Sequence, residues 1–233
     1  MTRIPTGNAQ ALLLIALVIS ACERRADERT SGYEAAPATV PAPVSVPAPT
    51  TVPALSDEEL SVHLDAAHDN FVKKELGKAG DELRSGAERL KQAAVNAPAG
   101  ARKDLTDAAD EIGKVEGDVR SGAMTSLETL DRHLARAGAA LARMHYLRAT
   151  DAWVAQDART TGRELVAAAD QLEAATRRLG HAVSAEAGSF ANHARDLGHK
   201  LAEGAKVAES DIGVTMRGLG REIEKLAHKV RAS

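Results

Sequence analysis

Cross-linking and bulky residues are scarce in this 233-residue chain, which has one cysteine, one tryptophan, two phenylalanines and two tyrosines. A single cysteine excludes an intramolecular disulfide framework and a zinc site built from cysteines. Aromatics at 2%, with no β-branched runs beside them, exclude large all-β and α/β architectures. No proline follows Pro98, so the last 135 residues carry no proline breaker. Familiar chemical signatures are missing as well. There is no Cys-x-x-Cys-His for covalent haem, no Gly-x-Ser-x-Gly elbow, no His-Glu-x-x-His and no Gly-x-x-x-x-Gly-Lys phosphate loop.

What is abundant is alanine, 47 residues or about a fifth of the chain, accompanied by leucine, arginine, lysine and glutamate. These are the best helix formers. The fold class expected is all-α: an elongated antiparallel bundle of long alanine-rich amphipathic helices. Charged residues make up 27% of the chain and its net charge is −3. That balance gives no support to a nucleic-acid partner.

The first 22 residues have a separate logic. Arg3 forms a short positive region, residues 11–19 an apolar core, and Ile19-Ser20-Ala21-Cys22 follows. The apolar core is too short for a comfortable permanent span and ends in small residues, as a cleaved signal does. The tetrapeptide resembles the lipobox of bacterial lipoproteins. The resemblance implies removal of residues 1–21 and lipidation of Cys22, with several acyl chains on it. More than one chain is what stable membrane attachment requires. Glu23 follows the cysteine, and sorting to the outer membrane, facing the periplasm, is the expectation. Loss of Arg3 with the signal leaves 29 basic against 33 acidic side chains in the mature chain.

Residues 22–55 read as a lipidated cysteine and a Pro/Ala-rich linker. Six of the eight prolines lie between Pro37 and Pro53, in the repeating units Val40-Pro41-Ala42-Pro43, Val46-Pro47-Ala48-Pro49 and Val52-Pro53-Ala54. Proline fixes φ and disfavours helix in the residue before it, so the segment is expected to be an extended spacer. Over roughly 33 residues it would reach some 50–100 Å from a membrane, toward the peptidoglycan.

Helices are expected from Ser56, where Glu59 completes a capping box and Asp57 and Glu58 suit the helix dipole. Asn96-Ala97-Pro98-Ala99-Gly100 is a clear break. From Leu105 the apolar positions step by three and four through Ile112, Val119, Ala123, Leu127, Leu134 and Met144, a heptad seam with a stutter at Ala123. A second seam runs Leu197, Leu201, Ala205, Ala208, Ile212, Met216, Leu219, Ile223, in eleven-residue cycles. In composition these helices are loosely similar to the amphipathic helices of apolipoproteins.

Residues 63–94 match 145–176 without a gap at an offset of 82. His63 meets His145, Asp69 meets Asp151, and Phe71-Val72 meets Trp153-Val154. Gly80 meets Gly162, and Glu82-Leu83 meets Glu164-Leu165. A weaker match at an offset of 85 sets Ile112 against Leu197, Leu134 against Leu219 and Leu141 against Leu226. The expectation is two tandem α-hairpin repeats, 56–143 and 144–233. Bends are expected after Phe71 and Trp153. The aromatic set Phe71, Tyr146, Trp153 and Phe190 is expected in the core. Glycines of the two Arg-Ser-Gly-Ala tetrads, at Gly86 and Gly122, are expected to let helices approach closely.

Eight histidines invite a metal reading, for which the aligned His63 and His145 are the candidates. Spacing argues against it: His63 and His68 are five apart and His193 and His199 six, not the three or four that places two ligands on one helical face. No catalytic residue, cofactor or metal is assigned, and Cys22 is the one site residue. The function expected is a non-enzymatic envelope lipoprotein, its bundle acting as structural spacer or protein-interaction module. Its partners would be the membrane, through the lipid anchor, and another envelope protein or peptidoglycan; homo-oligomers fit the seams too. The alternative is an amphipathic protein that binds lipid surfaces; a periplasmic metal-binding bundle using His63 and His145 ranks below both.

Overall fold

The computed structural model describes residues 57–180 and 185–232; the lipobox with Cys22, the Pro/Ala-rich segment and the cap at Ser56 lie outside them. Among the described residues the regular structure is entirely helical. The order is α1 (Asp57–Val72), α2 (Leu76–Val95), α3 (Ala99–Arg120), α4 (Leu127–Val154), α5 (Ala158–Arg178), α6 (Ala185–Ala202) and α7 (Glu209–Ala232). Each helix packs on the next in sequence, and α4 also packs on α1 and α7. The protein is an all-α bundle.

Apolar faces at helical spacing supply two cores. The first gathers Leu64, Leu83, Leu90, Leu105, Ile112 and Leu134 from α1 to α4. The second gathers Leu165, Leu172, Leu201, Ile212, Leu219 and Ile223 from α5 to α7. Helix α4 serves both. Its Leu130, Leu134, Leu141 and Met144 enter the first core, while Ala135, Ala139, Ala142 and Ala149 enter the second. Leucine on one face and alanine on the other lets the second set of helices come close to α4 without an excess of side-chain volume. The boundary expected between residues 143 and 144 therefore falls inside a continuous helix, one that is shared by both cores.

Turn geometry recurs at the 82-residue offset. After α1, Lys74 takes φ 61° and the N–H of Glu75 donates to the carbonyl of Asn70; after the second aromatic, Gln156 takes φ 60° and the N–H of Asp157 donates to Ala152. These are the expected bends, built as left-handed helix caps without glycine. The caps of α3 and α6 are glycine versions, with Gly122 at φ 76° and Gly204 at φ 81°. Burial keeps the same register. Leu105, Ala109, Ile112, Val115 and Val119 in α3 correspond to Ala187, Ala191, Ala194, Leu197 and Leu201 in α6, and all ten are buried.

Several expectations are corrected by this arrangement. The stutter at Ala123 is not inside a helix: α3 ends at Arg120, Gly122 turns the chain, and Ala123 is exposed. The eleven-residue seam is interrupted in the same way, because Gly204 ends α6 and Ala205 and Ala208 lie exposed before α7. The structural register of α3 with α6 and of α4 with α7 is 82, not 85. A shift of three residues moves a helix by less than one turn, so both offsets align apolar positions in sequence. Of the two tetrad glycines, Gly86 lies against Leu64 as expected, whereas Gly122 is a turn residue. The four aromatics are half-buried at the margins of the cores, where small residues leave room for rings. Phe190 sits over Gly218 and Tyr146 over Gly220, each filling the space a side chain would need.

Candidate functional site

The histidines singled out in sequence are held apart. His63 on α1 donates from Nδ1 to Glu82 on α2 at 2.7 Å, and His145 on α4 donates from Nδ1 to Glu164 on α5 at 2.7 Å. An ionised carboxylate only accepts, which places the proton on Nδ1 in each pair. Both members of the second pair lie 82 residues after those of the first. Their surroundings differ: the His63 side chain is 27% exposed and His145 1%. His68 on α1 bonds Asp131 on α4 at 2.7 Å, and His133 on α4 bonds Glu111 on α3 at 3.1 Å. Four histidines thus join neighbouring helices through carboxylates. Among the described residues, no group of three or more His, Cys, Asp or Glu gathers where it would hold a metal ion.

Arginine-centred clusters tie other helix pairs. Arg120 at the end of α3 donates to Glu116 at 2.7 Å and to Asp81 on α2 at 2.8 Å. Its guanidinium holds both carboxyl groups below their usual range, helped at Glu116 by Arg84. On α6, Arg195 bonds Asp170 at 2.6 Å and also Glu173, both on α5. Hydrogen bonding from Arg195 pulls the Glu173 carboxyl below its usual range. At the start of α5, Asp157 accepts from the Thr160 N–H at 2.9 Å and is lowered by its bonds to Thr160. These groups brace helices; they converge on no common reacting position.

The described helices leave several open grooves, among them the following two. One lies along α2 beside His63 and is lined by Ser85, Glu88, Arg89, Gln92, Val95 and Asn96, with Val95 73% exposed. The other, about 810 Å³, lies between α4 and α7. Tyr146, Gly220 and Ile223 form its floor, and Arg217, Arg221 and Lys225 stand around it. The Arg221 guanidinium lies 5.9 Å from the centre of the Phe190 ring. Sequence reasoning missed both grooves. The signal for the second was present as Arg217, Arg221, Lys225 and His228, a basic stripe at helical spacing.

Among the described residues no helix is long and apolar enough to cross a membrane. Comparisons with protein families, with curated proteins and with solved structures find no match for this chain.

Proposed function

We propose that this chain is an envelope lipoprotein, held by lipid on Cys22 and sorted to the outer membrane, whose helical part works without catalysis as a spacer and protein-interaction module. The observation that carries the reading is the order of segments. Ile19-Ser20-Ala21-Cys22 comes first, the six clustered prolines follow, and helices begin at Asp57 directly after them. A lipid attachment, a stiff extended spacer and a braced bundle in that sequence suit a device that holds a surface away from a membrane. The 82-residue recurrence of turns, burial and His–Glu pairs supports reading the bundle as an internal duplication. Inter-helix bonding by Arg120, Arg195 and four histidines favours a rigid folded module. It counts against helices that open on a lipid surface, because their apolar faces are committed to the two cores.

Cys22→Ser is expected to move the protein from the membrane fraction to the soluble fraction of cells. Retention of that variant with an uncleaved signal overturns the anchor. Crosslinking in whole cells is expected to recover an envelope protein or peptidoglycan, and recovery of neither overturns the interaction role.

A further inference from the structure

Arginines in this bundle mostly act as braces. Arg84, Arg120, Arg143, Arg178 and Arg195 each bind a carboxylate on another helix. Arg217 and Arg221, one turn apart on α7, do not: both are exposed, and among the described residues no carboxylate pairs with either. The other charges of the α4–α7 groove are matched. Lys225 is held by Glu222 at 2.6 Å and lies 3.6 Å from Glu186, while Glu224 lies 3.8 Å from Arg143 on α4. The groove therefore carries an excess of positive charge, and that excess rests on two guanidinium groups.

These two groups gather toward one end. Helical side chains slant toward the N-terminus of their helix. Nη1 of Arg217 lies 3.2 Å from where a Cβ on Gly213 would stand, and Arg221 reaches the Phe190 ring, which covers Gly218. Apolar surface follows. The Tyr146 ring stands over Gly220, where a Cβ would come within 2.7 Å of it, and Ile223 closes the floor. Methylene stems of the arginines and of Lys225 add to that surface. Toward α4 the groove is bounded by Tyr146 and by the Arg143–Glu224 pair. Along α7 it runs from Arg217 to His228, about 17 Å at the helical rise. Its volume of about 810 Å³ falls within the range of roughly 300–1,000 Å³ typical of small-ligand sites.

We propose that this groove binds a single-chain amphiphilic anion of the fatty-acid class, its carboxylate on Arg217 and Arg221 and its acyl chain laid past Tyr146 and over Ile223 toward His228. Charge selects the head, because guanidinium N–H groups one turn apart can converge on one oxyanion. The Tyr146 wall and the floor select the chain, whose burial removes apolar surface from water. A small hydrophilic anion leaves that wall unused. An uncharged chain covers two cations and gives them no partner. Neither core is opened by such binding, so the bundle keeps its fold. The proposal goes beyond the spacer and interaction-module reading and depends neither on that reading nor on the lipid at Cys22.

The test is isothermal titration calorimetry of the full chain carrying Cys22→Ser, with laurate kept below the concentration at which it forms micelles. One laurate per chain is expected to bind, about tenfold or more tightly than dodecanol, since a hydrogen bond to a charged group contributes at least that much. Decanoate is expected to bind more weakly than laurate, by up to about fifteenfold, because each fully buried methylene contributes about fourfold. Arg217→Gln with Arg221→Gln is expected to weaken laurate binding by about tenfold and to erase the preference over dodecanol. Circular dichroism, unchanged in that variant and on binding, verifies that the helices stay as they are. A laurate analogue with a photoreactive group at the chain end is expected to label Tyr146 or α7 between Arg217 and His228. No binding, equal binding of laurate and dodecanol by the parent chain, indifference to the two arginine substitutions, or labelling confined to residues 1–56 overturns the proposal. Vesicles of phosphatidylglycerol separate a membrane surface from a monomer site. Vesicle binding that depends on Arg217 and Arg221, with no binding of monomeric laurate, overturns the proposal in favour of a membrane-facing helix. Association of the chain with itself or with another protein through these arginines, again without laurate binding, overturns it in favour of protein docking.

Discussion

At the scale of single residues, the same sequence position does different work in the two halves. Gly80 and Gly162 are aligned, yet their neighbours differ. A methyl group on Gly162 would overlap the carbonyl oxygen of Gly198 and lie 2.8 Å from the Ala202 amide nitrogen, so α5 and α6 touch backbone to backbone. On Gly80 it would meet only the guanidinium of Arg120 at 3.2 Å, the far end of a flexible side chain. Glycine inside a helix costs about 1 kcal/mol relative to alanine. Gly80→Ala is therefore expected to leave stability unchanged or raise it by up to about 1 kcal/mol. Gly162→Ala forces two helices apart and is expected to cost about 3 kcal/mol or more, as overpacking against unyielding backbone does. Urea unfolding midpoints of the two variants check the contrast, and equal effects would mean that α5 and α6 are not in backbone contact. Gly162 and Gly198 were not legible as a pair, because each is an unremarkable glycine in an alanine-rich helix until α5 and α6 are set side by side.

At the scale of helices, position was legible, as were the bends after Phe71 and Trp153 and the break before Pro98, whereas the turns at Gly122 and Gly204 were not. Leucines such as Leu83, Leu90, Leu134 and Leu165 fall on one face at steps of three and four, and all are buried. The seams through Ala123 and Ala205 misled because alanine is apolar enough to continue a pattern and small enough to sit exposed in a turn. Lys74 and Gln156 end helices in a left-handed conformation that favours glycine, and these bends were legible from the aromatic before each turn rather than from a glycine. The side-chain partners across each bend were hidden by their distance in sequence. His63 and Glu82 are separated by 19 residues, and only the bend at Lys74 brings α1 back along α2 to join them. The braces give the helix pairs a pH dependence with a definite sign. Glu116 and Glu173 have carboxyl groups held below their usual range by Arg120 and Arg195. A depressed carboxylate contributes stability that is complete above its unfolded value and is lost as pH falls through its folded value. The bundle is thus expected to lose stability below about pH 4, the ordinary range for a carboxylate. Glu173→Gln should be less stable than the parent at pH 7, with the difference shrinking toward pH 3. Urea titrations across that interval measure it, and a difference that grows on acidification would show that Arg195 does not stabilise the ionised form of Glu173.

At the scale of the whole molecule, the decisive feature is that α4 belongs to both cores. Two bundles joined by an exposed linker would unfold separately, whereas two cores that use opposite faces of one helix have to lose that helix together. Losing it exposes Leu134, Leu141 and Met144 from the first core and Ala135, Ala142 and Ala149 from the second. Side-chain bonds across the divide reinforce the coupling: Gln171 on α5 donates to Ser61 on α1, and Asp65 on α1 is paired with Arg178 on α5. The described helices are therefore expected to unfold as one cooperative unit. Trp153 tests this, because its ring packs only at the edge of the second core and its fluorescence reports locally. Leu83→Ala removes a fully buried side chain from the first core, and Leu165→Ala removes one from the second. Each is expected to cost about 2–5 kcal/mol, the range for such truncations. If α4 couples the cores, Leu83→Ala shifts the Trp153 fluorescence midpoint in urea as far as it shifts the circular dichroism midpoint, and the two curves superimpose for both variants. A Trp153 transition left unmoved by Leu83→Ala, with circular dichroism splitting into two steps, would show instead that α4 frays between two independently folding halves.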